Sequence, residues 1–293
     1  MNERKSILSV FLCYLFWGFQ PLYWAIFPNI DPYTILACRI IMAAVFSVLL
    51  LAVTKKLGAL RDTFRDPHVM KRLLPAAIFL LADWAVFIVV VNAGHVVDAG
   101  LGYYINPLIL FAVGVVLFKE KCTKIQLAAL LTALVGVIVS TAAFGAFPYI
   151  SLFLAVNWAV YASIKKNVKL DGVVSIAVET LILSPFAAAF LLLFRRAELA
   201  SFDLVQVLFI LGSGIVTALP MFLYSNTVSS LPLIFMCFAQ YLSPTFNLTC
   251  SLILHEDFSD SQLVSLVFFV AAILIFTFGE IRRMKRQKKQ SNL

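Results

Sequence analysis

Apolar segments long enough to cross a lipid bilayer follow one another along almost the whole chain, and no other feature constrains the fold as strongly. A spanning helix needs about 20 mainly apolar residues. Apolar residues form 62% of this 293-residue chain and charged residues only 13%, whereas soluble domains have about 45–50% and about 25%. The chain therefore cannot cover a water-soluble surface, and we predict ten spanning helices. They are the segments 6–27, 33–54, 72–92, 98–118, 125–143, 148–164, 173–194, 204–225, 232–254 and 262–281.

Positive charges are sorted to one side of these segments. Of the 23 Lys and Arg residues, all except Arg39, Arg195 and Arg196 fall at the N-terminus, in the loops after even-numbered segments, or at the C-terminus. Under the positive-inside rule this sorting predicts that both termini are cytoplasmic. We interpret the basic tail 282–293 as an anchor for anionic lipid rather than a nucleic-acid site. In the loop 55–72, apolar residues at helical spacing are compatible with a short interfacial helix.

The fourth and ninth segments share a motif that ends in proline and is followed by a glutamate and a glutamine at nearly equal spacing. It reads Tyr104-Ile105-Asn106-Pro107 with Glu120 and Gln126, and again Tyr241-Leu242-Ser243-Pro244 with Glu256 and Gln262. Because five is odd, a second copy of five helices must enter the membrane from the opposite side, as in many secondary transporters. We predict an all-α membrane protein of two inverted five-helix halves, 1–145 and 146–281, followed by the tail 282–293. A duplicated bundle without transport is the alternative.

Three charged residues, Arg39, Asp83 and Glu179, lie inside predicted spans. A charge at the centre of a spanning helix costs about 2.5–3.5 kcal/mol, so these residues should face a wet cavity or one another. The inverted repeat relates the position of Arg39 to that of Glu179. The open interpretations are a static ion pair that holds helices together, and a solute-binding or proton-coupling group. We predict one central cavity lined by Arg39, Asp83 and Glu179 with Tyr104, Asn106 and Tyr241.

Proline residues at matching positions of the two halves should kink their helices near the candidate site. Pro107 and Pro244 each remove a backbone hydrogen bond, and interrupted helices at matching positions point toward the site in transporters. A cavity of aromatic and amide groups favours a small amphipathic or aromatic solute over a bare ion, although any single aromatic residue could instead pack against lipid. The further candidates for solute binding are Trp17, Trp84, Asn157, Trp158, Tyr161 and Gln240.

Signatures of other protein classes are missing from the sequence. It contains no Walker loop, no G-x-S-x-G and no H-E-x-x-H motif, and neither His95 nor His255 has a metal-ligand partner at a useful spacing. We therefore predict no enzyme activity, no metal and no cofactor. A stripe of small residues, Ala128, Thr132 and Gly136, predicts close helix packing and leaves a homodimer open.

The motifs together resemble the RarD proteins, in the EamA-type branch of the drug/metabolite transporter superfamily. The resemblance runs through Trp17-Gly18, Pro21, Tyr23, Asn92, His95, Gly102-Tyr103-Tyr104-Ile105-Asn106-Pro107-Leu108, Lys119-Glu120, Gln240-Tyr241, Pro244 and Glu256. It implies ten helices in two inverted halves, a bacterial inner-membrane location and a permease that does not use ATP. Where the family pattern has Asn-Trp, this chain has Asp83-Trp84, which puts a shared solute preference in doubt.

These observations lead to one functional hypothesis and one alternative. We expect a secondary active or facilitative permease that moves a small metabolite or drug-like solute, by export or exchange, through alternating access. The alternative is a non-transporting membrane scaffold or sensor. The expected partners are the solute and the lipid bilayer, and no nucleic acid.

Overall fold

The chain folds into a bundle of α-helices in a computed structural model that describes residues 3–24, 30–92, 96–145, 147–246 and 260–291. No strand occurs in these ranges. In chain order the helices are α1 Glu3–Trp24, α2 Pro32–Val53, α3 Leu57–Arg65, α4 Pro67–Asn92, α5 Val96–Val116, α6 Lys124–Phe144, α7 Tyr149–Lys166, α8 Gly172–Phe194, α9 Arg196–Ala200, α10 Leu204–Val228, α11 Leu233–Gln240 and α12 Asp260–Ser291.

Ten of these elements fall on the ten predicted spans, because only α3 and α9 lie between them. Seven helices are long and apolar enough to cross a membrane, and two shorter apolar helices cover Gly102–Val116 and Leu233–Phe246. The short interfacial helix expected after the second span is α3, with apolar residues on one side and charged residues on the other. The basic tail continues α12 as helix as far as Ser291.

Side-chain caps fix where several helices begin. Asp31 accepts hydrogen bonds from the first backbone N–H groups of α2. Thr123 with Gln126, and Asp203 with Gln206, form capping boxes at α6 and α10. Such caps satisfy the N–H groups that a helix leaves without partners, which sets the helix ends near the edges of the bilayer.

The helix pairing follows the predicted duplication. Helices α2 and α8, α5 and α11, and α6 and α12 pack against each other, and each pair joins a span to the span five later. Two further contacts are each repeated between the corresponding spans of the other half. The contact of α1 with α10 corresponds to that of α7 with α4, and the contact of α2 with α10 corresponds to that of α8 with α4. A two-fold relation between two halves gives this pattern. The division of the chain at residues 145 and 146 stays a prediction.

The predicted stripe of small residues on α6 has one clear packing partner. A methyl group on Gly136 would lie 2.8 Å from the Phe269 ring of α12, so this end of the stripe holds α6 and α12 together. Ala128 is exposed. The homodimer expectation stays a prediction.

Two glycines allow α10 to approach its neighbours at backbone distance. A methyl group on Gly214 would lie 2.4 Å from the carbonyl oxygen of Met42 on α2. Likewise, a methyl group on Gly172 of α8 would lie 2.4 Å from the carbonyl oxygen of Phe222 on α10. Because backbone atoms cannot swing aside, α2, α8 and α10 are fixed at this spacing.

We predict that Gly214→Ala lowers the melting temperature of the purified protein in detergent, because α2 and α10 must separate at a cost of about 1–3 kcal/mol. The control is Gly58→Ala in α3, where an added methyl group has nothing within 4 Å. It should leave the melting temperature unchanged or slightly higher. Equal effects of the two substitutions would contradict the close approach of α2 and α10.

Candidate functional site

Arg39 on α2 is held between two tryptophan rings. Its guanidinium carbon lies 4.2 Å from the centroid of Trp84 on α4 and 5.5 Å from that of Trp24 on α1. Among the described residues its Nε has no hydrogen-bond partner, and no carboxylate lies within 4.0 Å. The rings partly stabilise the charge, but its hydrogen-bond donors remain free for a bound group.

Asp83 on α4 brings a negative charge to the same region without pairing with Arg39. Asn157 on α7 donates one hydrogen bond to the Asp83 carboxylate at 3.3 Å and another to the carbonyl oxygen of Phe79 at 2.8 Å. The carboxylate lies within electrostatic range of Arg39 and of the Tyr103 hydroxyl. Both charged residues are half-buried rather than sealed, and the Tyr103 side chain is 43% exposed. We use the name charged cavity for this candidate site, which is defined by five residues: Arg39, Asp83, Trp84, Trp24 and Tyr103.

A cluster of five aromatic rings, the aromatic layer, packs beside the charged cavity. Its rings come from α1, α7 and α10, and neighbouring centroids lie 5.1 to 6.3 Å apart. The members are Tyr14, Trp17, Trp158, Tyr161 and Tyr224. The three tyrosines are fully buried and the two tryptophans half-buried. Trp84 packs against the larger apolar core to which the three tyrosines also belong, so this core connects the two groups of residues.

Glu179 lies apart from the charged cavity, in a dry ion pair with Lys165, and both side chains are fully buried. The Tyr161 hydroxyl donates to the second carboxylate oxygen of Glu179 at 2.9 Å, and Ser175 donates to the first at 3.1 Å. The prediction that Glu179 shares a cavity with Arg39 and Asp83 is therefore wrong. The cause is Lys165, which the sequence placed in a loop but which lies inside α7 and supplies the counter-charge. For Glu179 the geometry is that of the static ion pair.

The two motif tyrosines, Tyr104 and Tyr241, stack on the ring of Phe269 and not on the residues of the charged cavity. Tyr104 and Tyr241 lie against Phe269 of α12, with ring centroids 4.5 and 5.0 Å away. The Tyr241 hydroxyl donates to the backbone carbonyl oxygen of Tyr104 at 3.3 Å. Among the described contacts none joins either tyrosine to Arg39 or Asp83, and their role in solute binding stays a prediction.

The two motif amides are also packed away from the charged cavity. Asn106 is buried and donates to the carbonyl oxygen of Ala155 on α7 at 2.8 Å. Gln240 is buried at the end of α11, and its Oε1 has no partner among the described residues. The Asn106 side chain thus ties α5 to α7, while its Oδ1 has no partner among the described residues, and its role in solute binding stays a prediction.

The two helices that were predicted to kink at a proline differ from each other: the one with Pro107 is continuous, and the one with Pro244 is broken. Pro107 lies inside α5, which continues through it. Helix α11 ends at Gln240, and helical backbone resumes only over 242–246. Pro244 cannot donate to the carbonyl oxygen of Gln240, four residues earlier, which accounts for the break.

The sequence reasoning missed four residues that build these sites: Trp24, Tyr103, Lys165 and Phe269. Trp24 and Tyr103 lie within predicted spans, and only their helix faces were unknown. Lys165 gave a usable signal, because it falls one helical turn after Tyr161 and close to a charged residue in the next span. His95, His255 and Glu256 lie outside the described residues.

The relatives that a comparison with known proteins finds are named as transporters or as RarD proteins. The profile of the EamA-like transporter family matches residues 4–142. The "Uncharacterized transporter YojE" of Bacillus subtilis (strain 168) is 33% identical over 293 residues, which cover 98% of each chain. "Protein RarD" of Streptomyces exfoliatus is 30% identical, over 98% of this chain and 92% of the relative. One solved crystal structure, described only as that of a protein, covers 96% of this chain and 99% of its own at a TM-score of 0.75 and 16% identity. At that identity the likeness shows the fold alone.

We predict that Lys165→Met and Glu179→Gln each lower the melting temperature strongly, because loss of one partner of a buried ion pair costs about 3–5 kcal/mol. The double substitution, which neutralises both charges, should lose less than Lys165→Met alone. As a control, Lys56→Met removes an ion pair with Asp171 whose side chains are 51% and 36% exposed. It should change stability by no more than about 1 kcal/mol. Single variants that melt like the control would contradict a buried pair.

Proposed function

Because the chain belongs to the RarD branch of the EamA-like transporter family, we propose that it is a permease that carries a small polar solute across the bacterial cytoplasmic membrane. The observation that supports this most is that Arg39 and Asp83, both inside predicted spans, lie within electrostatic range of each other in the charged cavity without forming an ion pair. Charges inside a membrane protein are costly unless they serve a partner or a wet pathway. A scaffold or sensor would not require them.

The chemistry of the charged cavity indicates what the solute should present. Arg39 offers several N–H donors in a fixed plane, which suits a carboxylate or another acceptor group. Asp83 offers acceptor oxygens at a separate point, and the ring of Trp84, which lies against Arg39, supplies apolar contact. A compact solute with an acceptor at one end, a donor or positive charge at the other and an apolar middle would satisfy all three.

Alternating access is the mechanism that we propose for this permease. The aromatic layer and the buried pair of Lys165 and Glu179 support a state that is closed at the end of the bundle that carries the basic loops. By the distribution of positive charge this end is cytoplasmic. Release to the cytoplasm would require α7 to move relative to α1 and α10, since these three helices carry the aromatic layer. Export or exchange would reverse the same path.

The first test is the removal of the Arg39 charge. Metabolite profiling of cells with and without the gene should identify solutes whose distribution depends on the protein, and these are then tested for flux in proteoliposomes. Arg39→Gln should lower the flux about ten-fold or more, because a hydrogen bond to a charged group contributes about 1.5–3 kcal/mol. Arg61→Gln, on the exposed helix α3, should leave it unchanged.

Two results would contradict the proposal. One is that the wild-type protein moves none of the solutes that profiling identifies. The other is that Arg39→Gln transports as well as Arg61→Gln while both variants retain the wild-type melting temperature.

The second test concerns proton coupling, for which Asp83 is the candidate. If Asp83 exchanges a proton during transport, a pH gradient should change the wild-type flux, and Asp83→Asn should abolish that dependence. Asp62→Asn, which neutralises an exposed carboxylate on α3, should keep it. An unchanged pH dependence in Asp83→Asn would remove this residue from the coupling step.

A further inference from the structure

A groove on the membrane-facing side of the bundle lies between α4, α5 and α7. It has a volume of about 450 Å³ and begins at the end of the bundle that carries the basic loops. Two apolar stripes form its walls, and each repeats every four residues along one helix face. The stripes are Ile109 and Val113 on α5 with Leu117 in the turn that follows it, and Val156, Val160 and Ile164 on α7.

The shape of the groove suits a hydrocarbon chain. Residues 109 to 117 span about 12 Å along α5, from the middle of the bundle to its basic end. Leu117 and Val156 are 66% and 48% exposed, so the walls are open on the lipid side. Ala159 is buried at the base, and its small side chain leaves room above it.

Two positive charges stand at the mouth of this groove. Lys71 and Arg72 lie in the second turn of α4 and are both exposed. Arg72 Nη1 donates to the carbonyl oxygen of Asn167 at the end of α7, at 2.7 Å, which holds the guanidinium across the groove. Lys71 has no ion pair among the described residues.

Negative charge near the mouth is already neutralised. Glu120, after α5, accepts hydrogen bonds from the N–H groups of Leu233 and Ile234 and pairs with Lys166 at 3.2 Å. Asp66, just before α4, caps this helix by accepting hydrogen bonds from the N–H groups of His68 and Val69, so its charge is offset by the positive end of the helix dipole. The mouth therefore carries a net positive potential at the level where lipid headgroups lie.

We propose that this groove binds one anionic glycerophospholipid, with its phosphate on Lys71 and Arg72 and one acyl chain along the stripes of α5 and α7. Basic pockets between helices on the cytoplasmic side are typical sites for such headgroups. The bound lipid would join α4 and α5 of the first half to α7 of the second. The proposal holds whatever solute the charged cavity takes.

Native mass spectrometry of the purified full-length protein in detergent tests this site, with phosphatidylglycerol and phosphatidylcholine of identical acyl chains as probes. The wild-type protein should retain one phosphatidylglycerol more tightly than phosphatidylcholine. Lys71→Gln should weaken phosphatidylglycerol binding about five-fold and leave phosphatidylcholine binding unchanged. Lys124→Gln, at the exposed start of α6 on the same side, should weaken neither.

A second variant tests the acyl-chain part of the site. Val160→Trp fills the groove without changing a charge, so it should weaken the binding of both lipids. Melting temperatures in lipid-free detergent identify any variant that is merely misfolded.

Three outcomes would overturn the proposal. The first is equal retention of the two lipids by the wild-type protein. The second is equal weakening by Lys71→Gln and Lys124→Gln, which would indicate attraction to the whole basic surface. The third is a lipid-free dimer that Val160→Trp dissociates, which would make the groove a contact between two copies of the chain.

Discussion

A charge inside a lipid bilayer must find a partner or water, and this protein meets that requirement in two different ways. Glu179 is neutralised by Lys165 and by two hydroxyl groups in a dry site. Among the described residues, Arg39 contacts the faces of two tryptophans without forming an ion pair, and Asp83 accepts a long hydrogen bond from Asn157. The first arrangement is complete without a ligand, whereas the second leaves donors and acceptors for one. This difference, rather than the number of charges, separates the structural site from the candidate transport site.

The two copies of the proline motif contact the same residue of α12, which could not be predicted from the sequence. Their two tyrosines stack on Phe269, so the corresponding segments of the two halves meet at a single ring of α12. One copy keeps its helix continuous and the other breaks it before Pro244. The two copies of the motif are therefore related in packing but differ in local backbone.

The sequence predicted the fold well, because lipid leaves few alternatives for a chain with so many apolar segments. Hydropathy located the ten helices, and the amphipathic spacing of the loop 55–72 located α3. The site was predicted only in part. Arg39, Asp83, Trp84 and Asn157 do come together, but Tyr104, Tyr241 and Glu179 do not join them. Hydropathy gives the depth of a residue and not the face of its helix. A hydropathy pattern also ends a span at the first lysine, so Lys165 was assigned to a loop although it lies inside α7.

The dry pair of Lys165 and Glu179 also constrains how this part of the protein can evolve. A change at either position alone strands a charge where neither water nor lipid can solvate it. Substitutions at the two positions are therefore expected to occur together during evolution. A lineage can abandon the pair only by neutralising both residues together, or by first weakening the surrounding packing so that water enters. Descendants should carry both charges or neither, and a solitary lysine or glutamate there would mark a protein whose interior has become wet.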